Sequence, residues 1–158
     1  MMIKTDSRLR WATALLITNI LFIWGNSMLP GEISGAISQW VKDLLHAIFG
    51  GGGTPGTSHG LLRKLGHFAE FACLGALLAW LTGMRLSNTL KSVTLSLACG
   101  FSVGCIDEGI QNLVPDRGPR FTDVLIDTAG AAVGITLLWI GYTIRKRRKQ
   151  QKMKENEK

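Results

Sequence analysis

The chain has 158 residues, 46% of them hydrophobic and only 18% charged, with 18 Lys+Arg against 11 Asp+Glu and a formal net charge of +7. A positive mean hydropathy of +0.20 with so few charges excludes an intrinsically disordered chain and argues for a membrane protein over a soluble domain, which is about a quarter charged. Three cysteines, Cys73, Cys99 and Cys105, lie in apolar stretches without CxxC spacing, which indicates neither a disulfide framework nor a thiolate metal site.

A bilayer core of about 30 Å takes roughly 20 mostly apolar helical residues. In chain order, the first such segment runs from Trp11 to about Met28, bracketed by Trp11 and Trp24 as interfacial aromatics and preceded by Lys4, Arg8 and Arg10. No small-x-small cleavage site follows it, so a retained span is expected rather than a signal peptide. Next, Ile37, Trp40, Val41, Leu44, Leu45 and Ile48 fall at i, i+3, i+4, i+7, i+8 and i+11, with Ser38, Gln39, Lys42, Asp43 and His46 between them. This spacing predicts an amphipathic helix over Ile37 to Phe49, too short to span, lying along the interface. Four glycines, Gly50 to Gly53, and Thr54-Pro55-Gly56-Thr57-Ser58 form a linker, and His46 and His59 read as ordinary surface residues.

Three further spans are expected at about Leu65 to Met84, Val93 to Val114 and Asp123 to Ile144. The last two are joined by Pro115-Asp116-Arg117-Gly118-Pro119-Arg120, whose turn chemistry makes them antiparallel neighbours. Small residues stripe all three: Ala72, Ala76, Ala79 and Gly83, then Ser96, Gly100 and Gly104, then Gly130, Gly134 and Gly141. Such stripes let helices approach closely, and they suit a homodimer as well as the bundle. The fold class is therefore all-α: a polytopic membrane domain over residues 1–144 with four transmembrane helices and an amphipathic interfacial helix, then a basic tail over 145–158.

Four spans put both chain ends and the Arg85-to-Lys91 loop on one side, with thirteen Lys/Arg, and leave Lys42, Arg63, Lys64, Arg117 and Arg120 on the other. The positive-inside rule places both termini in the cytoplasm. The run Arg145-Lys146-Arg147-Arg148-Lys149 is a topology signal touching anionic membrane lipid, and nothing accompanies it that would read nucleic acid.

The acids are distributed differently. Lys64, His67 and Glu70 share a face near the start of the second span, Asp107, Glu108 and Gln111 close the third, and Asp123 and Asp127 open the fourth. Antiparallel packing brings the three groups to one depth at the outer ends, where each buried carboxylate needs a cation, a proton, water or a metal. One histidine among carboxylates suits a divalent metal, although HxxxH and HExxH are missing, or a general acid–base site with Arg117 or Arg120 on a phosphate. A salt-bridged structural plug is the plain alternative. Ion or proton transport is disfavoured, since below Asn19 and Thr82 little carries charge down the spans.

The pattern Lys64-x-x-His67-x-x-Glu70-Phe71, Asp107-Glu108-x-x-Gln111, Pro115-x-Arg117 and Asp123-x-x-x-Asp127-x-x-Gly130 resembles the VanZ-like family of small bacterial membrane proteins. Asn26-Ser27-Met28-Leu29-Pro30-Gly31 with Ser34 and Ser38 adds to it, and the resemblance covers residues 10 to 144. Phe71 stands where the family commonly has an aromatic hydroxyl, and Asp127 where it commonly has an amide. The resemblance implies a bacterial cell-membrane location and a phenotype, low-level resistance to the glycopeptide teicoplanin, rather than a reaction. Two functions are carried forward. The first is binding of a lipid head group or cell-wall component in an outer polar pocket capped by the amphipathic helix. The second is an intramembrane hydrolase or transferase acting on a phosphate-bearing lipid, with His67 and Glu108 in acid–base roles and Arg117 on the phosphate.

Overall fold

A computed structural model describes residues 2–49, 59–115, 117–118 and 120–156. The polyglycine linker, Asp116 and Pro119 lie outside the described residues, as do the side chains of His46 and His59. The described residues form five helices, α1 (Met2–Ser27), α2 (Gly31–Phe49), α3 (His59–Arg85), α4 (Thr89–Gln111) and α5 (Phe121–Asn156), and no strand.

Three helices, over Leu61–Arg85, Thr89–Gln111 and Phe121–Asn156, are long and apolar enough to cross a membrane. The predicted first span reaches that threshold only when Ser7–Ser27 is taken with Gly31–Val41, and these two segments are bent by 111°. Pro30 supplies the break. It has no amide N–H to continue α1, while its carbonyl accepts the Ser34 amide at 3.1 Å and opens α2. The amphipathic helix consequently begins at Gly31, six residues before its periodicity starts at Ile37.

The apolar row of α2 faces away from the protein. Ile33, Ile37, Trp40, Leu44 and Ile48 are exposed, whereas Ser34 is buried and Ser38 and Val41 are half-buried. A helix lying in a bilayer interface orients in this way, with apolar side chains towards the acyl region. Helix α4 is capped by Asn88, whose side chain accepts the Lys91 amide at 3.1 Å. Helix α5 runs unbroken through the basic stretch to Asn156, because that stretch is built from good helix formers without Gly or Pro.

The core consists of Ile23, Phe71, Leu74 and Leu78, with Leu16, Ile20, Trp24, Cys99 and Val103 packed against it. Trp24 is thus a packing residue rather than an interfacial anchor, whereas Trp11 is 67% exposed. All three cysteines are free, and only Cys99 contributes to packing, since Cys73 and Cys105 are exposed. At the end of the bundle that carries the chain termini, Thr82 bridges α3 to α4 through the Ser92 and Ser96 hydroxyls at 2.6 and 2.9 Å, all three buried.

Helices α3 and α5 make the most extensive contact, and it is backbone against backbone. A Cβ at Gly75 would collide with the Ala131 carbonyl, one at Gly134 with the Ala72 carbonyl, and one at Gly130 with the Phe68 carbonyl. Helix α4 joins through Gly100, where a Cβ would lie 3.1 Å from that of Ala131, and Gly104, where it would lie 3.6 Å from that of Asp127. Gly75 was not among the residues expected in this contact, and a Cβ at Gly141 would meet nothing within 4 Å. Gly134→Val is therefore expected to destabilise the bundle by about 2 kcal/mol or more, whereas Gly141→Ala changes stability by less than about 0.5 kcal/mol. Thermal unfolding of both variants in the same detergent checks this difference.

Candidate functional site

The end of the bundle opposite the chain termini collects the end of α1, the starts of α3 and α5, the end of α4 and the α4–α5 loop. Helical spacing on α3 sets Lys64, His67 and Glu70 one turn apart, and each meets a different neighbour. Lys64 Nζ lies 3.3 Å from Asp123 Oδ1 on α5. Glu70 faces α1, where the Asn26 side-chain amide donates to its Oε1 at 2.9 Å. Between them, His67 Nδ1 stands 3.8 Å from Asp107 Oδ2 and 3.9 Å from Asp127 Oδ1. Those separations exceed a hydrogen bond, so the imidazole faces both carboxylates without bonding to either.

Burial at the centre is nearly complete, with side-chain exposures of 0% for Asp107, 2% for Asp127 and 11% for His67. Gln111 Nε2 donates to Asp107 Oδ2 at 2.8 Å, and its Oε1 accepts from the Arg63 guanidinium. Asp107 Oδ1 and Asp127 Oδ2 are buried without a hydrogen-bond partner. Next to Asp107 on α4, Glu108 Oε2 accepts the Arg120 backbone amide at 2.9 Å, which fixes that side chain. One ligand atom from each of His67, Asp107 and Asp127 can be chosen so that all three lie within 4.8 Å of one another, a donor set suited to one metal ion.

A cavity of about 20 Å³ opens here, lined by Arg63, Lys64, His67, Glu108, Gln111, Asp123, Ile126 and Asp127. That volume holds about one water. Six of the nine residues expected at the site line it. Asp107 stands directly behind His67, Glu70 is turned towards α1, and Arg117 lies off the cavity. No residue of α2 lines it, so the expected cap is not formed among the described residues.

Arg117 has a different place from the phosphate-binding one expected of it. Its Nη1 donates to the Ser27 carbonyl at 3.0 Å, tying the α4–α5 loop to the end of α1, and the residue is buried. Burial lowers its pKa from the ordinary arginine value and Arg63 pushes the same way, while Asp107 and Glu108 oppose the shift. The cations at the cavity are instead Arg63 and Lys64. Sequence reading also gave no site role to Asn26 or Ser27, although the latter's Oγ lies 3.4 Å from Gln111 Nε2. Their signal was available as two adjacent polar residues closing an apolar segment.

A bundle of apolar helices closed around a buried histidine–carboxylate centre defines a polytopic helical membrane protein with a polar site at one end. The VanZ/LLP1 family profile matches residues 9–142, and the chain belongs to that family. Comparison with curated proteins and with solved structures found no match.

Removing the Arg117 side chain leaves the Ser27 carbonyl unpaired at a buried helix end. Arg117→Ala is expected to cost about 1–3 kcal/mol and to speed hydrogen exchange in the last turn of α1. Exchange mass spectrometry of the variant against the parent protein checks both effects, and unchanged protection over residues 24–28 would contradict the tether.

Proposed function

We propose that the chain hydrolyses a phosphate-bearing lipid of the cell envelope at this end of the bundle. The observation that carries the reading is the one-water cavity, lined by Glu108, His67 and Asp127 together with the cations Arg63 and Lys64. A cavity of this size is too small to enclose a head group. It suits the attacking water of a hydrolysis, with the phosphate held at the mouth by the two cations. Water oxygen attacks phosphorus and the P–O bond to the departing oxygen breaks. Glu108, held by the Arg120 amide, takes the water proton and returns it to the departing oxygen. The base asymmetry supports cytoplasmic termini, which puts the site in the outer leaflet of the cell membrane.

A second reading, binding of a lipid head group or cell-wall precursor without turnover, is favoured by the partly exposed Lys64–Asp123 pair at the rim, which offers both charges to a head group. In either reading a changed population of surface lipids or precursors accounts for altered tolerance of teicoplanin.

Purified protein in lipid nanodiscs, supplied with phosphatidic acid, phosphatidylglycerol or a polyprenyl diphosphate and with divalent cations present, is expected to release inorganic phosphate or a soluble phosphorylated head group. Glu108→Gln should lower that rate by about 100-fold or more. Failure to release phosphate from any of these lipids overturns hydrolysis, and binding without turnover then takes its place. In cells, Asp107→Ala and Glu108→Ala are expected to insert normally and lose teicoplanin tolerance. Tolerance retained by both variants would remove the link to glycopeptides.

A further inference from the structure

The hydrolytic reading assigns work to Glu108, Arg63 and Lys64 but none to the trio behind them. Asp107 and Asp127 come from different helices, are 0% and 2% exposed at their side chains, and face the same imidazole nitrogen. Two carboxylates so placed repel each other strongly in a medium of low dielectric. The local cations do not pair with the two aspartates directly: Lys64 meets Asp123, Arg63 reaches Asp107 only through Gln111, and Arg117 donates to the Ser27 carbonyl. Each aspartate also keeps one oxygen, Asp107 Oδ1 and Asp127 Oδ2, buried with no hydrogen-bond partner. Unpaired buried carboxylate oxygens are costly, and here they belong to two aspartates whose other oxygens converge on one imidazole nitrogen.

We propose that His67, Asp107 and Asp127 form a binding site for one divalent transition-metal ion, of the zinc or manganese class. The donor set is one imidazole nitrogen and two carboxylates, which favours such an ion over calcium or magnesium. The geometry is within reach of coordination. Metal–ligand bonds of about 2.0–2.1 Å in a tetrahedral site place ligand atoms about 3.4 Å apart. The two histidine–carboxylate separations are 3.8 and 3.9 Å, so small side-chain rotations close the site around an ion. Two positive charges would balance two aspartates, neither of which has a Lys or Arg in direct contact among the described residues. With three protein ligands, a fourth position stays open, and both His67 and Asp127 border the one-water cavity. A water there would share the cavity with Glu108, and the ion would supply the acidity that makes it a nucleophile. This use of the ion rests on the hydrolytic reading, whereas the site itself stands without it.

The test is metal retention by the full chain in nanodiscs. Protein stripped with a chelator is dialysed against Zn²⁺ or Mn²⁺ and then against metal-free buffer, and its metal content is measured by elemental mass spectrometry. The expected result is about one ion per chain for the parent protein and for Glu70→Gln, a nearby carboxylate outside the trio. Asp127→Asn and His67→Gln are expected to bind at least about tenfold more weakly, and Co²⁺ substitution should give a d–d absorption band that both variants lose. A chain that retains no metal, or variants that retain as much as the parent, would overturn the site. Thermal unfolding without metal guards against misfolding as the cause of loss. Asp127→Asn removes one of two repelling charges, so its metal-free form is expected to melt no lower than the metal-free parent, while only the parent gains stability when metal is added. The two proposals fail separately: lipid turnover by a chain that retains no metal overturns the metal site alone, and stoichiometric metal without turnover of the three lipids overturns hydrolysis alone.

Discussion

The close crossing of α3 and α5 sets the position of everything else at the site. Gly75, Gly130 and Gly134 let carbonyls of one helix rest where a side chain would otherwise stand on the other. Lipid supplies little hydrophobic force between helices, so association depends on such close contact. The crossing also sets register. Gly130 sits against Phe68, the neighbour of His67, and Asp127 lies one turn before Gly130, so glycine contact and imidazole–carboxylate approach are fixed together. Helix α4 obeys the same constraint: Gly104 abuts the Asp127 Cβ and Phe71, and Asp107 follows one turn later. Phe71, fully buried below the polar layer, closes it off from the rest of the core.

Electrostatics then sort the polar groups into a rim and a centre. On the rim, Lys64 and Asp123 have side-chain exposures of 39% and 24% and neutralise each other in contact with solvent or head groups. The Arg117–Ser27 and Arg120–Glu108 bonds stitch the α4–α5 loop to α1 and α4, so the loop is part of the site's wall. In the centre two buried aspartates face one imidazole with no Lys or Arg of the described residues in direct contact, which sets the centre apart from the Lys64–Asp123 pair. The other end of the bundle uses a different solution, with uncharged hydroxyls on Thr82, Ser92 and Ser96 satisfying one another at 2.6 and 2.9 Å. That pairing does not extend to the buried Trp139 Nε1 at the same end, which has no partner among the described residues.

The gathering of Lys64, His67, Asp107, Gln111, Asp123 and Asp127 was legible in the sequence because it needs only helical periodicity and antiparallel neighbours. Contacts that depend on which way a helix is rotated were not legible. Glu70 shares its face of α3 with His67, yet a small rotation turns it to Asn26 on α1. Arg117 stands in a loop, where no period predicts a partner, and its bond to a backbone carbonyl leaves no trace in side-chain patterns. Hydropathy gave the last three spans well. It overstated the first, since Asn19, Asn26 and the break at Pro30 leave α1 short of the threshold without part of α2. The periodicity of α2 identified its two faces but not their direction, because a buried face and a lipid-covered one have the same composition.

That direction bears on where the site lies along the bundle. Helix α2 starts soon after Ser27 ends α1, and its outward apolar row fixes this level of the bundle at the boundary between head groups and acyl chains. Ser27 shares its level with Gln111 and Arg117, to which it is bonded. Asp107 lies four residues before Gln111 on α4, and at 1.5 Å per residue this is about 6 Å deeper. The rim thus meets the membrane surface where phosphates lie, and the carboxylate–histidine centre sits one helical turn below it. On the hydrolytic reading proposed above, a head group held at the rim would reach the cavity without leaving its leaflet. Placed a turn higher, the aspartates would be hydrated and their charge spent on solvent. Placed a turn lower, they would be beyond the reach of a phosphate anchored at the interface.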